Sequence, residues 1–169
     1  MSDEWKRELP TYLQHYLSLV SERDIVSGLQ NSKKELLKVL ATTTGEKGNY
    51  RYAKGKWTVN ELLQHIIDTE RIFQYRALCI ARGEKQSLPG FDQDEYAKNV
   101  DVSNRTLEDV LSEFVVVRNS SIYLFKSLNN AQLNAVGLAN GMKITPKAYG
   151  FLCTGHLRHH VNVLVKKYF

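Results

Sequence analysis

The chain has 169 residues, 43% of them hydrophobic and 24% charged, which fits one soluble globular domain over 1–169 with a core that needs no staple. No apolar run is long enough to span a bilayer, and Met1-Ser-Asp-Glu-Trp-Lys6 has neither the basic nor the apolar part of a signal peptide, so a cytoplasmic location is expected. The net charge of +5 is modest, and the lysines are scattered as pairs (Lys33-Lys34, Lys166-Lys167), a pattern that argues against a nucleic-acid partner.

Helical periodicity begins after Pro10 and extends to about residue 41, through Tyr12, Leu13, Tyr16, Leu17 and Val20, then Ile25, Leu29, Leu36, Leu37 and Leu40. Ser21 to Asp24 supplies capping side chains and can start a second segment there, and Thr42-Thr-Thr-Gly45 ends the run. A basic, glycine-bearing link leads to Trp57. Thr58 and Glu61 form a capping box that opens a helix with an apolar face from Val59 to Ile80, Leu78 included, ending at Arg82-Gly83. Residues 83–104 form a long connector carrying Pro89-Gly90 and the acidic-aromatic run Phe91 to Tyr96. A connector of that length either folds over a site or is a crossover pinned by its aromatic residues. Thr106 caps a third long helix that Asn129-Asn130 stops. Asn140-Gly141, with alternating residues after it, predicts a turn and a short extended piece. Pro146 opens the last helix, which runs to Lys166-Lys167. Cys79 and Cys153 lie in apolar helical stretches and read as core thiols, not as a disulfide. The whole predicts an all-α four-helix bundle with long crossover connections.

The chemistry lies in the last helix. His156 and His160 are four residues apart, so both imidazoles leave nearly the same face, about 6 Å from one another along the axis. Neutral imidazole is a good ligand for zinc, nickel or iron(II), but two of them leave a divalent ion mostly hydrated. His65, embedded in the amphipathic helix after Trp57, is the candidate third ligand if the two helices face each other; the competing reading makes it a histidine at the core edge. His159 competes by spacing, although its offset from His156 is about 60° against about 40° for His160. His15 reads as structural. Asp68 or Glu70 could orient a ligand imidazole, with Asp68 the better placed and Glu70 better suited to pairing with a base. Arg71, Arg76 and Arg158 are candidate anchors for an anionic substrate. Nucleophilic triads, phosphate-binding loops and Cys-x-x-Cys pairs are absent, so nothing points to a nucleotide-binding enzyme.

Three stretches together carry a family resemblance: Lys56-Trp57-Thr-Val-Asn-Glu-Leu-Leu-Gln-His65-Ile-Ile-Asp-Thr-Glu-Arg71; Arg76-Ala-Leu-Cys-Ile-Ala-Arg82 with Leu88-Pro-Gly-Phe-Asp-Gln-Asp-Glu-Tyr96; and Gly155-His-Leu-Arg-His-His160. The chain from about residue 10 to 167 resembles the DinB-like (DinB/YfiT) superfamily of metal-dependent proteins. The resemblance implies a four-helix bundle, commonly dimeric, with a divalent ion such as nickel, zinc or iron on His65, His156 and His160. It also implies a small-molecule substrate. Better understood relatives transfer or isomerise groups with low-molecular-weight thiols, and others are described as hydrolases. Glu70 stands where some relatives carry a further histidine, so the pocket chemistry of those relatives does not transfer. The expected function is therefore a thiol-dependent S-transferase or a hydrolase, with a non-catalytic, stress-associated metal-binding or scaffold protein as the alternative.

Overall fold

In the computed structural model, which describes residues 3–41, 43 and 45–169, the first expected helix is two. After one 3₁₀ turn at Asp3–Lys6, α1 spans Thr11–Ser18 and α2 spans Ile25–Leu40. The break falls at the capping segment: the Asp24 carboxylate accepts the Ser27 N–H at 2.7 Å, which satisfies a free donor of the new helix. The expected stop at Thr42-Thr43-Thr44-Gly45 includes Thr42 and Thr44, which lie outside the described residues.

The Thr58–Glu61 box opens α3, Val59–Ala81, with both reciprocal bonds made. Leu78, assigned to its buried face, is instead 40% exposed. The connector contains a short helix, α4 (Gln93–Lys98), capped by Asp92. A second reciprocal box, Thr106 with Asp109, opens α5, Leu107–Ser127. Asn129 does more than stop α5: its side chain caps α6, Asn130–Leu133. The Asn140-Gly141 turn joins β1 (Gly137–Ala139) to β2 (Met142–Ile144) as a two-residue antiparallel hairpin. Both turn residues have positive φ, 51° and 72°, the combination a type I′ turn requires. Finally α7 covers Pro146–Val163 and widens into a π turn at Leu164–Tyr168, which takes the expected helix past Lys166-Lys167. Cys79 and Cys153 are both free thiols.

The long helices close into a ring in the order α2, α7, α3, α5 and back to α2, with α1 lying on α7. Consecutive helices are therefore not all neighbours. Asn60 bonds to Arg105 and Gln74 to Ser121, so α3 and α5 run parallel. Phe73 packs on Tyr149 while His65 meets His160, so α3 and α7 run antiparallel. Parallel neighbours cannot be joined by a short turn. The connector from α3 must travel back along a 23-residue helix, a length of roughly 35 Å, which is why it is long.

Two apolar clusters fill the bundle, one around Leu29, Phe73, Phe125 and Leu152 and one around Leu36, Leu63, Phe114 and Leu157. Between them lies a polar layer centred on Arg118, which is wholly buried. Its Nε and one terminal nitrogen donate to the two oxygens of Glu70, each at 2.7 Å. Its other donors reach the Leu29 and Cys153 carbonyls at 3.1 Å and the Ser32 hydroxyl at 2.7 Å. All five guanidinium N–H groups thus have acceptors, and the acceptors come from α2, α3 and α7. At the edge, Arg158 on α7 grips both Glu22 and Glu35, and this holds the Glu22 carboxyl down at about 2.

Two stability predictions come from this packing. Arg118→Met should destabilise the fold by about 3–5 kcal/mol in urea unfolding, because it strands the Glu70 carboxylate, whereas Arg118→Met combined with Glu70→Leu should recover most of that loss. Gly155→Ala puts a Cβ against the backbone carbonyl oxygen of Tyr16, and should lower stability by about 1–3 kcal/mol by lifting α1 from α7.

Candidate metal centre

Three helical positions bring three imidazoles to one point. His65 sits on the second turn of α3, and the Thr58 box fixes where that helix starts. His156 and His160 sit one turn apart on α7. Antiparallel packing of α3 on α7 sets them face to face. The Nε2 atom of His156 lies 3.1 Å from that of His65 and 3.1 Å from that of His160, and the candidate ligand atoms of the three all fall within 4.8 Å. With bonds of about 2.0–2.1 Å, two imidazole nitrogens on one cation would stand about 2.9 Å apart at a right angle and about 3.3 Å at a tetrahedral angle. The two spacings to His156 lie between those values, so each of these two pairs fits a common divalent ion.

The electrostatics agree. Burial pushes His65 down to about 4, with repulsion from His159 adding to it. Burial holds His156 and His160 well below the ordinary imidazole range, and the neighbouring imidazoles lower them further. All three are therefore neutral at physiological pH, the form that binds metal. Among the described residues no fourth histidine, cysteine or carboxylate joins the group. An ion held there would keep positions open for water or substrate.

Aromatic rings dry the surroundings. Trp57 lies over His65 with ring centroids 5.0 Å apart, and Tyr16 meets His156 edge-on at 5.3 Å. Tyr16 reaches that place because Gly155 lets α1 approach the α7 backbone. His159 turns away from the cluster: its Nδ1 is 3.4 Å from Nε2 of His15, so these two form a separate, more exposed pair. The carboxylates considered as orienting partners do other work. Asp68 accepts from Gln64 at 2.9 Å, and Glu70 belongs to the Arg118 layer. The buried Nδ1 of His160 has no protein partner.

A cavity of about 380 Å³ opens beside His156, lined among others by Tyr16, Thr69, Phe73, Arg76, Phe91 and Tyr149. Phe91 and Gln93 come from the long connector, so it walls the site and is also pinned by its aromatic residue. Leu88 anchors it by pairing with Leu138 and Asn140 of the hairpin. Of the three candidate anion anchors, Arg71 is bound to Glu113 at 2.6 Å and Arg158 to its two glutamates; only Arg76 faces the cavity. Thr69 and Tyr149 escaped the reading of the sequence, although the signal was there. Thr69 follows His65 by one turn, and Tyr149 precedes His156 by two.

A profile of the DinB superfamily matches residues 29–164. No protein of curated function matches the chain. Among solved structures, YfiT from Bacillus subtilis, described as "a probable metal-dependent hydrolase with an unusual four-helix bundle topology", superposes with a TM-score of 0.68 at 17% identity, over 98% of this chain and 87% of that one. The ring of helices, the crossover and the matched span together place this chain in the DinB superfamily.

Proposed function

We propose that the protein is a metal-dependent enzyme that acts on a small molecule, with His65, His156 and His160 holding a divalent cation. One observation carries the reading: three buried, neutral imidazoles converge through Nε2 at the wall of a cavity, and no fourth protein donor joins them among the described residues. A bound divalent ion supplies Lewis acidity, polarising a carbonyl or lowering the pKa of a bound water or thiol. The description of YfiT supports the hydrolytic variant, and the resemblance to thiol-using relatives supports transfer to a low-molecular-weight thiol. A structural ion in a scaffold protein would be better served by a closed set of four protein donors.

The chain's own residues do three things in this proposal. The histidines arrive unprotonated because burial keeps protons off them, so binding does not wait on deprotonation at neutral pH. Trp57, Tyr16 and Phe73 exclude water from the imidazole faces, which strengthens every charge interaction within. The connector contributes Phe91 and Gln93 to the cavity wall.

Purified wild-type protein should carry close to one divalent ion per chain by elemental analysis, and His65→Ala and His160→Ala should each be strongly depleted. Full occupancy in either variant would remove the assignment. The loaded protein should cleave small esters or amides, or conjugate small electrophiles to thiols, and lose that activity with a chelator; metal binding without either activity would favour the scaffold reading. Acid gives a further check. Above pH 6.5 His65 is neutral whether the chain is folded or not, and its titration contributes nothing. Between 6.5 and about 4 the unfolded chain takes up a proton that the folded chain refuses, so stability of the metal-free protein should fall as pH falls. His65→Gln should flatten that slope in urea unfolding at stepped pH.

A further inference from the structure

The far end of the cavity holds a charge with no counter-charge. Arg76 is only 6% exposed, yet no carboxylate pairs with it among the described residues. One terminal nitrogen donates to the Pro89 carbonyl, and the guanidinium lies 5.6 Å from the Phe91 ring centre. Apart from the Tyr149 phenol beside it, the guanidinium meets no further protein acceptor among the described residues, and it lines the cavity. Two buried hydroxyls line the cavity, at 2% and 3% residue exposure: Tyr149 Oη, which has the Arg76 guanidinium beside it, and Thr69 Oγ1, one turn from His65, which has no hydrogen-bond partner. Burial pushes the Tyr149 phenol up to about 12, so it remains a donor at any physiological pH. A buried cation without a counter-charge is costly unless something satisfies it. Among the described residues no acidic side chain lines the cavity.

The helix geometry sets Arg76 and Tyr149 apart from the histidines. Tyr149 precedes His156 by seven residues on α7, and Arg76 follows His65 by eleven on α3, whereas Thr69 follows His65 by only four. Seven residues are two turns, an axial rise on the order of 10 Å. Phe73, lying between Tyr149 and His156 at centroid distances of 5.3 and 6.2 Å, makes the middle apolar. The cavity thus has Arg76 and Tyr149 at one end, an aromatic middle, and the imidazole cluster with Thr69 at the other.

We infer that the cavity takes a small organic acid whose carboxylate is held by Arg76 with Tyr149, its apolar body along Phe73 and its reactive end beside His156 and Thr69. One guanidinium and one neutral phenol match a single negative charge. Only the placement of the reactive end rests on the metal-dependent reading; the carboxylate site does not.

The test uses ω-phenylalkanoates of two to eight chain carbons and their primary amides, titrated calorimetrically into the full chain with and without zinc. In metal-free protein the best acid should bind at least about tenfold more tightly than its amide. Arg76→Met should abolish that preference, and Tyr149→Phe should reduce it severalfold with the fold intact by circular dichroism. If Arg76→Met does not fold, the wild-type ratio and Tyr149→Phe decide the matter. Equal binding of acid and amide across the series, or a preference unchanged in the folded variants, overturns the inference. A preference that appears only with zinc also overturns it, since the carboxylate would then be sitting on the metal. An acid preference in a protein that takes up no zinc would sustain the carboxylate site and sink the metal-dependent reading instead.

Discussion

The buried Arg118–Glu70 pair is the constraint on which the site depends. A guanidinium removed from water requires acceptors in fixed directions, and here they come from a carboxylate on α3 and from backbone or hydroxyl oxygens on α2 and α7. Apolar packing alone allows helices to slide by a turn with little change in buried area. A five-donor knot does not allow this, because any slide strands a charge in a dry interior. Glu70 is five residues from His65, and Cys153 is three from His156. The layer that locks α3 against α7 therefore lies about one turn from the imidazoles and fixes the level at which they meet.

That register brings together three neutral imidazoles in a poorly solvated place, an arrangement that a free chain would not choose. Burial disfavours their protonated forms, and their mutual proximity disfavours them further. The fold bears this cost through the apolar clusters on either side and through aromatic rings that replace water. The close approach at Gly155 belongs to the same construction, since it lets the Tyr16 ring reach His156. The donor set and the dry walls have separate origins: the first comes from α3 and α7, the second from α1, the link before α3 and the crossover.

Much of this was legible in the residues, and the gaps have physical causes. The helix starts at Thr58, Thr106 and Pro146 were readable because capping is a local interaction between side chains a few positions apart. The same holds for the Asn140-Gly141 turn. The spacing of His156 and His160 is equally local. Arg118 escaped notice because a charged residue inside an apolar stripe carries no mark of its partner, and Glu70 lies 48 positions away. Glu70 was read as pairing with a base, but which base depends on α3 and α5 running parallel. Arg71, Arg76 and Arg158 looked equivalent along the chain. Tertiary packing separates them, giving two to carboxylates and leaving one to the cavity. The thiol or other substrate, the metal and any second copy of the chain leave no comparable local trace.

The central claim is that one helix gives a single imidazole and another gives two to a common cation with room left on it. X-ray absorption at the metal edge of zinc-loaded protein tests this most directly. The account predicts three imidazole nitrogens at about 2.0–2.1 Å with the remaining positions filled by light oxygen scatterers. Fewer than three imidazoles, a sulfur scatterer, or a shell closed by four protein donors would contradict it.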